Sequence, residues 1–304
     1  MKILITGGNG FLGKHLTPKL KSKGHETLIP RSKEMDLMDH KSTLDYINAC
    51  KPDAVYHLAA YYGGLGITVK EPANIFFKNT IMTANLFEAC VKAGVKKILP
   101  TGSACSYPGG LAGDMKEDGF WDGRCHESVE AYGFSKKLQV VGLAAYRKQY
   151  GISFNHLVLT NLYGEWDEFG EYRSHAISAL IKRFCDAAKA DSPEVACWGS
   201  GTPIREFLYA GDAAEAFVRA LDLGHNDEPI NIGTGIGTSI RELTDMVSEA
   251  SGYKGRIVWD STKPDGVARK VLDIEKMKDK LKWEPPTKLK DGLARTIKWY
   301  KANN

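Results

Sequence analysis

The chain has 304 residues, 43% hydrophobic and 26% charged, with a formal net charge of only +4. That balance describes a globular chain long enough for one large α/β unit or two modest domains sharing a cleft. It argues against nucleic acid as a partner, since no Lys/Arg run forms a basic tail, and no apolar segment approaches the roughly 20 residues that span a bilayer.

Lys2–Thr6 is an apolar, β-branched run and reads as a buried strand. It is too short for a signal-peptide core and leads straight into glycines, so the protein is expected in the cytoplasm. Residues 11–23 carry a helix pattern, 26–30 a second strand, and 54–59 and 97–101 further strands separated by a helical stretch over 72–93. A long helix over 127–150 precedes a strand over 153–159. Strand and helix alternating in this way predict the α/β class, a doubly wound parallel sheet of the Rossmann type.

After Gly164 the texture changes. Residues 166–173 are loop-like, 174–190 helical, and short strands are expected at 194–198 and 205–210. The last third mixes Gly and Pro loops with two amphipathic helices, 239–251 and 289–300. This pattern predicts a smaller α+β substrate-binding lobe. The expected division is 1–164 plus 206–232 for the dinucleotide-binding domain and 165–205 plus 233–304 for the substrate lobe. The ligand should lie between them, outside the carboxyl ends of the strands.

Six cysteines occur, Cys50, Cys90, Cys105, Cys125, Cys185 and Cys197, with no Cys-x-x-Cys pair and no zinc-ligand spacing. No metal is expected, and apart from Cys105 they read as reduced, mostly buried thiols.

Gly7-x-x-Gly10-x-x-Gly13 follows the first strand directly and opens the first helix. Gly7 permits the tight turn, Gly10 lets backbone approach a pyrophosphate, and Gly13 lets helix and strand pack closely. The helix N-terminus, at Phe11 and Leu12, then offers N–H groups to an anion. The second strand ends in Pro30-Arg31-Ser32-Lys33, two cations and no carboxylate where an NAD binder carries an acid for the ribose 2′-OH. That tip suits a 2′-phosphate and predicts NADP(H). The next acid, Asp36 of Asp36-Leu37-Met38-Asp39, is placed to meet the adenine.

Tyr132-Gly133-Phe134-Ser135-Lys136 sets a tyrosine and a lysine one helical turn apart on one face. The ammonium is expected to favour phenolate and draw the tyrosine pKa down from about 10. Lys136 could also hold the nicotinamide ribose. Ser103 ends the strand Lys97-Ile98-Leu99-Pro100-Thr101-Gly102, where a hydroxyl can hydrogen-bond a substrate carbonyl. Together the three form the Ser/Tyr/Lys set of a carbonyl reductase.

These residues resemble the extended short-chain dehydrogenase/reductases, and more closely the GDP-L-fucose synthase family. The similarity runs over nearly the whole chain, most specifically through Gly102-Ser103-Ala104-Cys105-Ser106-Tyr107-Pro108, Thr160-Asn161-Leu162-Tyr163-Gly164, the run from Trp198 to Leu208 and the run from Asp260 to Gly266. The resemblance implies an NADPH-dependent 3,5-epimerase/4-reductase acting on GDP-4-keto-6-deoxy-D-mannose, commonly a homodimer joined through two long helices of each subunit. It implies Tyr132 as the acid for C4 reduction, assisted by Lys136 and Ser103, and Cys105 and His175 as the two epimerisation residues. On the cofactor side it implies Leu37, Ala59, Asn161, Leu162 and His175. On the substrate side it implies Arg183, Trp198, Arg205, Lys263 and Asp265. Arginine suits the diphosphate because its planar fork grips phosphate oxygens.

Some positions depart from the family: Asn9 in the glycine loop, Tyr61-Tyr62 before Gly63-Gly64, Leu159, the loop 120–128 with Cys125 and His126, and Val267-Ala268. Those near Tyr61 and in 120–128 are expected to border the sugar. A GDP-linked heptose or another 4-keto sugar is therefore an alternative, as are C4 reduction without epimerisation and a 4-epimerase or dehydratase without net redox. A non-enzymatic NADP-sensing protein is disfavoured because the tyrosine–lysine pair is intact.

Overall fold

A computed structural model describes residues 1–170, 173–263 and 265–304. Glu171 and Tyr172 of the 166–173 loop, and Pro264 of the 260–266 signature, lie outside the described residues.

The first half runs β1 (Lys2–Thr6), α1 (Phe11–Ser22), β2 (Glu26–Leu28), α2 (His40–Cys50), β3 (Ala54–His57), α3 (Leu65–Lys70), α4 (Pro72–Lys92) and β4 (Lys97–Ser103). Short 3₁₀ turns at Ala104–Ser106, Glu117–Trp121 and Glu127–Val129 lead into α5 (Glu130–Tyr150). There follow β5 (Ser153–Phe154), β6 (Leu157–Leu159), β7 (Asn161–Tyr163), α6 (Ala176–Lys189), β8 (Glu194–Trp198), β9 (Ile204–Arg205) and β10 (Phe207–Tyr209). The chain ends with α7 (Ala210–Ala220), β11 (Ile230–Ile232), β12 (Thr238–Ser239), α8 (Ile240–Ser251), β13 (Arg256–Asp260), β14 (Arg269–Lys270), α9 (Glu275–Leu281) and α10 (Leu289–Asn303).

The central sheet has the order β11-β6-β4-β3-β1-β2, with β5 also on β4, and every pairing in it is parallel. Period-two alternation sends neighbouring side chains to opposite faces. Ile3 and Ile5 join a core with α1, α7 and α9, whereas Leu4, Val55 and Ile98 join one with α2, α4 and α5. Burial on both faces is why these strands read as continuous apolar runs. A third core, from α6, α8, α10 and β8, fills the second lobe.

Two expected strands are each split, for identifiable reasons. The strand over 153–159 becomes β5 and β6, and the gap at Asn155-His156 falls opposite Leu99-Pro100 of β4. Pro100 has no N–H to give the ladder. The strand over 205–210 breaks at Glu206, so that β9 joins a small sheet with β12 and β14 while β10 pairs with β7. Glu206 is fully buried, and its carboxylate accepts from Thr234 N, from Gly235 N at 2.9 Å and from Leu272 N at 2.8 Å. Buried polar groups persist only when so satisfied. One glutamate thereby ties three chain segments together where the sheets meet. Leu272, Ile274, Met277 and Leu281 pack into the large core rather than the second-lobe core.

Candidate active site

The glycine loop closes back on the neighbouring strand. Gly7 has φ +70°, and a Cβ there would lie 2.7 Å from Ala59 N. A Cβ on Gly13 would sit 2.4 Å from Gly8 O, so only glycine lets α1 pack this close. Gly10 is the N-cap of α1 and no side chain caps that end, which leaves first-turn N–H groups at Phe11 and Leu12 for an anion. Ala59 N in turn bonds Thr6 Oγ1 at 3.4 Å, so the loops after β1 and β3 meet where the strand order reverses. This cradle fits a dinucleotide.

Arg31 and Lys33 stand exposed after β2. Glu34 folds back so that its carboxylate accepts from Arg31 N at 2.8 Å. The tip is therefore not free of carboxylate, as its first four residues suggest, but that acid is spent on backbone. Asp36 likewise caps Met38 N at 2.9 Å, and Leu37 is buried with its carbonyl accepting from Asn85.

Ser103 closes β4 and caps the next 3₁₀ turn, its Oγ accepting from Cys105 N at 3.2 Å. Gly133 brings α5 against that turn: a Cβ there would meet Cys105 O at 2.3 Å and Cys125 Sγ at 2.7 Å. Tyr132 and Lys136 on α5 are both buried. Lys136 Nζ lies 5.6 Å from the Tyr132 ring centroid and donates to Thr101 Oγ1 at 3.4 Å.

Here the structure corrects an expectation. Burial pushes the Tyr132 phenol well above its ordinary range, with Cys105 adding to the rise, and pushes Lys136 down to about 7. Desolvation disfavours both charged forms more than their mutual attraction favours them. The phenol is held protonated, which suits an acid rather than a base.

His175 is the N-cap of α6, with its Nδ1 buried and without a hydrogen-bond partner among the described residues. It reaches the site because Gly63-Gly64 lets the preceding loop close on residues 173–174. Gly64 N donates to Arg173 O at 2.9 Å, and a Cβ on Gly64 would lie 2.0 Å from Ser174 O. That loop carries Tyr62, which joins the constellation. Its ring stacks on Tyr132 with centroids 3.7 Å apart, its hydroxyl is 3.7 Å from Cys105 Sγ, and its ring is 5.9 Å from that of His175. The sequence marked Tyr61-Tyr62 as a departure from the family expected to border the sugar, but gave no sign of these contacts with Cys105, Tyr132 and His175. His156 is a residue that sequence reasoning missed. It is fully buried against Gly102, and burial, with the Lys136 charge adding to it, holds it neutral with a pKa of about 3.

The substrate-side candidates group on the second lobe, while Asn161 and Leu162 lie on β7. Arg183 donates to Ala196 O at 2.7 Å, exposed Trp198 has Lys263 Nζ 5.9 Å from its ring, and half-buried Arg205 donates to Ile204 O at 2.8 Å. The Asp265 carboxylate is occupied by Ser200, accepting from N at 2.7 Å and Oγ at 2.8 Å, so it braces a turn. Asn161 donates to Glu206 O at 2.8 Å beside half-buried Leu162. Among the described residues, no hydrogen bond or ring contact links the second-lobe group to Tyr132 or Cys105.

A doubly wound parallel sheet, a glycine cradle at its switch point and a buried Tyr/Lys pair beside a strand-end serine define a nucleotide-dependent oxidoreductase or epimerase class. The chain belongs to the NAD dependent epimerase/dehydratase family, whose model matches residues 3–233. It is 35% identical to the GDP-L-fucose synthase of Escherichia coli (strain K12), covering 99% of this chain and 97% of that protein. Among solved structures it is similar to a GDP-6-OMe-4-keto-L-xylo-heptose reductase from Campylobacter jejuni, with a TM-score of 0.92 at 26% identity over 100% of this chain and 98% of that one. It is also similar to a GDP-mannoheptose C4 reductase of Campylobacter jejuni with NADP bound, with a TM-score of 0.88 at 27% identity over 99% and 98%. No helix among the described residues is long and apolar enough to cross a membrane.

Proposed function

We propose that this chain is an NADPH-dependent 3,5-epimerase/4-reductase converting GDP-4-keto-6-deoxy-D-mannose, or a close analogue, to GDP-L-fucose or the matching product. The observation that carries this reading is the convergence of Cys105, Tyr132 and His175 on one side chain, Tyr62. Residues suited to inversion and a residue suited to reduction thereby share one site.

A C4 ketone acidifies the protons on C3 and C5. Cys105 as thiolate takes one of them; the electron pair of that C–H bond forms a C=C bond to C4, and the carbonyl π pair moves onto the C4 oxygen as an enolate. His175 returns a proton to the carbon from the other face, restoring the ketone with inverted configuration. NADPH, when bound, supplies a hydride to C4. Tyr132 then gives its proton to the C4 oxygen, while Ser103 holds that oxygen by a hydrogen bond. The glycine loop with Phe11 and Leu12 would hold the pyrophosphate, Arg31 the 2′-phosphate, and Lys136 the ribose. Arg183 and Arg205 would grip the GDP moiety. Six free cysteines are in keeping with a reducing compartment, the cytoplasm.

A second reading, C4 reduction alone on a GDP-linked heptose, is favoured by the likeness to the heptose reductases. NMR of the product formed from GDP-4-keto-6-deoxy-D-mannose and NADPH separates them. The expected product is inverted at C3 and C5. Reduction with both centres unchanged would leave only the second reading, and no NADPH oxidation on either sugar would sink both.

The reading includes a homodimer joined through α4 and α5. Phe76 and Phe77 on α4, and Phe134 and Val141 on α5, are large apolar side chains left exposed in the single chain, a pattern that marks interaction surfaces. Sedimentation at twice the chain mass is expected for the wild type, and at the single-chain mass for Val141→Asp; a wild-type monomer would refute the dimer.

A further inference from the structure

Tyr62 belongs to none of the roles that the fold class supplies, yet it is the side chain on which the site closes. Its ring is stacked on one face, and its loop is pinned at the backbone. Tyr132 stacks against it with an interplanar angle of 16°, and the loop behind it is pinned by the Gly64–Arg173 hydrogen bond. The hydroxyl consequently has little freedom to leave the Cys105 sulfur, 3.7 Å away.

A thiol that works as a base must be held partly as thiolate, and proteins do this with a nearby cation, a helix N-terminus or a hydrogen-bond donor. Around Cys105 stand Tyr62 on the 61–64 loop, Tyr132 on α5 and Cys125 on the loop before it, all acids. The cationic or protonatable side chains of the site are a step further out, Lys136 5.6 Å from the Tyr132 ring and His175 5.9 Å from the Tyr62 ring. Cys105 N is itself directed to Ser103 Oγ. The Tyr62 hydroxyl, 3.7 Å from Sγ, is the side-chain hydroxyl within hydrogen-bond reach of the sulfur among the described residues.

We infer that Tyr62 is a positioning residue for Cys105: its phenol donates a hydrogen bond to Sγ and holds the sulfur as the thiolate that removes the C3 and C5 protons. The inference rests on reading Cys105 as the epimerisation base. Burial, with Cys105 and Tyr132 adding to it, raises the Tyr62 phenol well above its ordinary range, so Tyr62 remains the donor while the sulfur ionises. A thiolate hydrogen-bonded to a clamped phenol is also fixed in direction, as repeated proton removal from two neighbouring carbons requires.

The test measures the sulfur directly and needs no sugar. Wild type and Tyr62→Phe, which keeps the stacked ring and access to the site, are alkylated with iodoacetamide, and the Cys105 peptide is quantified by mass spectrometry against a Cys105→Ala blank. NADPH titration of the same samples verifies the fold. At about pH 7.5 the Tyr62→Phe protein should alkylate roughly tenfold more slowly, as expected for losing one hydrogen bond to a charged group. The deficit should close as pH rises past about 8.5, where an ordinary cysteine ionises unaided. An unchanged rate, or a deficit that persists at every pH, would overturn the inference. Because alkylation does not involve the sugar, failure of wild type to exchange substrate protons would count against the epimerase reading and would register separately.

Discussion

Tyr132→Phe is expected to slow NADPH oxidation with the keto sugar roughly a hundred- to ten-thousand-fold, the range for losing a positioned general acid. Solvent deuterium should still enter C3 and C5 at near the wild-type rate, because the proposed mechanism assigns those protons to Cys105 and His175. The substitution removes one hydroxyl and keeps the ring that stacks on Tyr62, so the fold should be unaffected. Burial keeps the phenol protonated, and an acid with a raised pKa stays available as pH rises. Tyr132 should therefore remain a usable acid toward about pH 10, the ordinary tyrosine value, and a fall in the reductive rate near neutrality would report Lys136, which burial brings down to about 7. Reduction by Tyr132→Phe within a few fold of wild type would remove Tyr132 from the proton transfer.

Cys105→Ser gives the complementary result. A serine hydroxyl does not ionise near neutrality, so deuterium wash-in at C3 and C5 should fall by roughly a hundredfold or more, while NADPH binding is unchanged. Any product that forms slowly should keep the configuration of the substrate at both carbons. Incubation with substrate in D2O followed by NMR reads both carbons at once. Label entering at the wild-type rate would show that another group is the base. The same experiment on His175→Gln is informative at a finer level: exchange without inversion would assign His175 to returning the proton.

On the proposed reading the two variants separate two chemistries in one site, and part of that site is legible in the chain itself. Gly7, Gly10 and Gly13 sit immediately after an apolar run, and the structure gives Gly7 and Gly13 the close backbone contacts that such spacing implies. The Tyr132/Lys136 pair lies on one face because helical geometry makes it so. What the pair does to its own titration was not legible. The expectation that an ammonium would lower the phenol assumed solvent-like surroundings. In the folded protein both groups are buried, and the cost of desolvation sets both directions.

Strand limits show the same boundary. The stretch 153–159 reads as one strand, and although Asn155-His156 is polar, nothing local reveals that Pro100, on a strand more than fifty residues earlier, interrupts its ladder there. Glu206, next to Arg205 in a strand-like stretch, gives no local sign that its carboxylate will collect Thr234, Gly235 and Leu272. Asp265, expected on the substrate side, accepts from Ser200, 65 positions earlier, a partnership no local pattern announces.

By itself the sequence determined the alternation of strand and helix, the glycine cradle, the cations after β2 and the pairing of Tyr132 with Lys136, since each depends on residues a few positions apart and on local backbone geometry. Only the tertiary structure decided that Tyr62 lies against Tyr132, Cys105 and His175, side chains separated by up to more than a hundred positions. Packing brings them together because Gly64 and Gly133 have no Cβ to keep the segments apart. Burial then settles which of those groups holds a proton, and neither proximity nor burial is written at any single position of the chain.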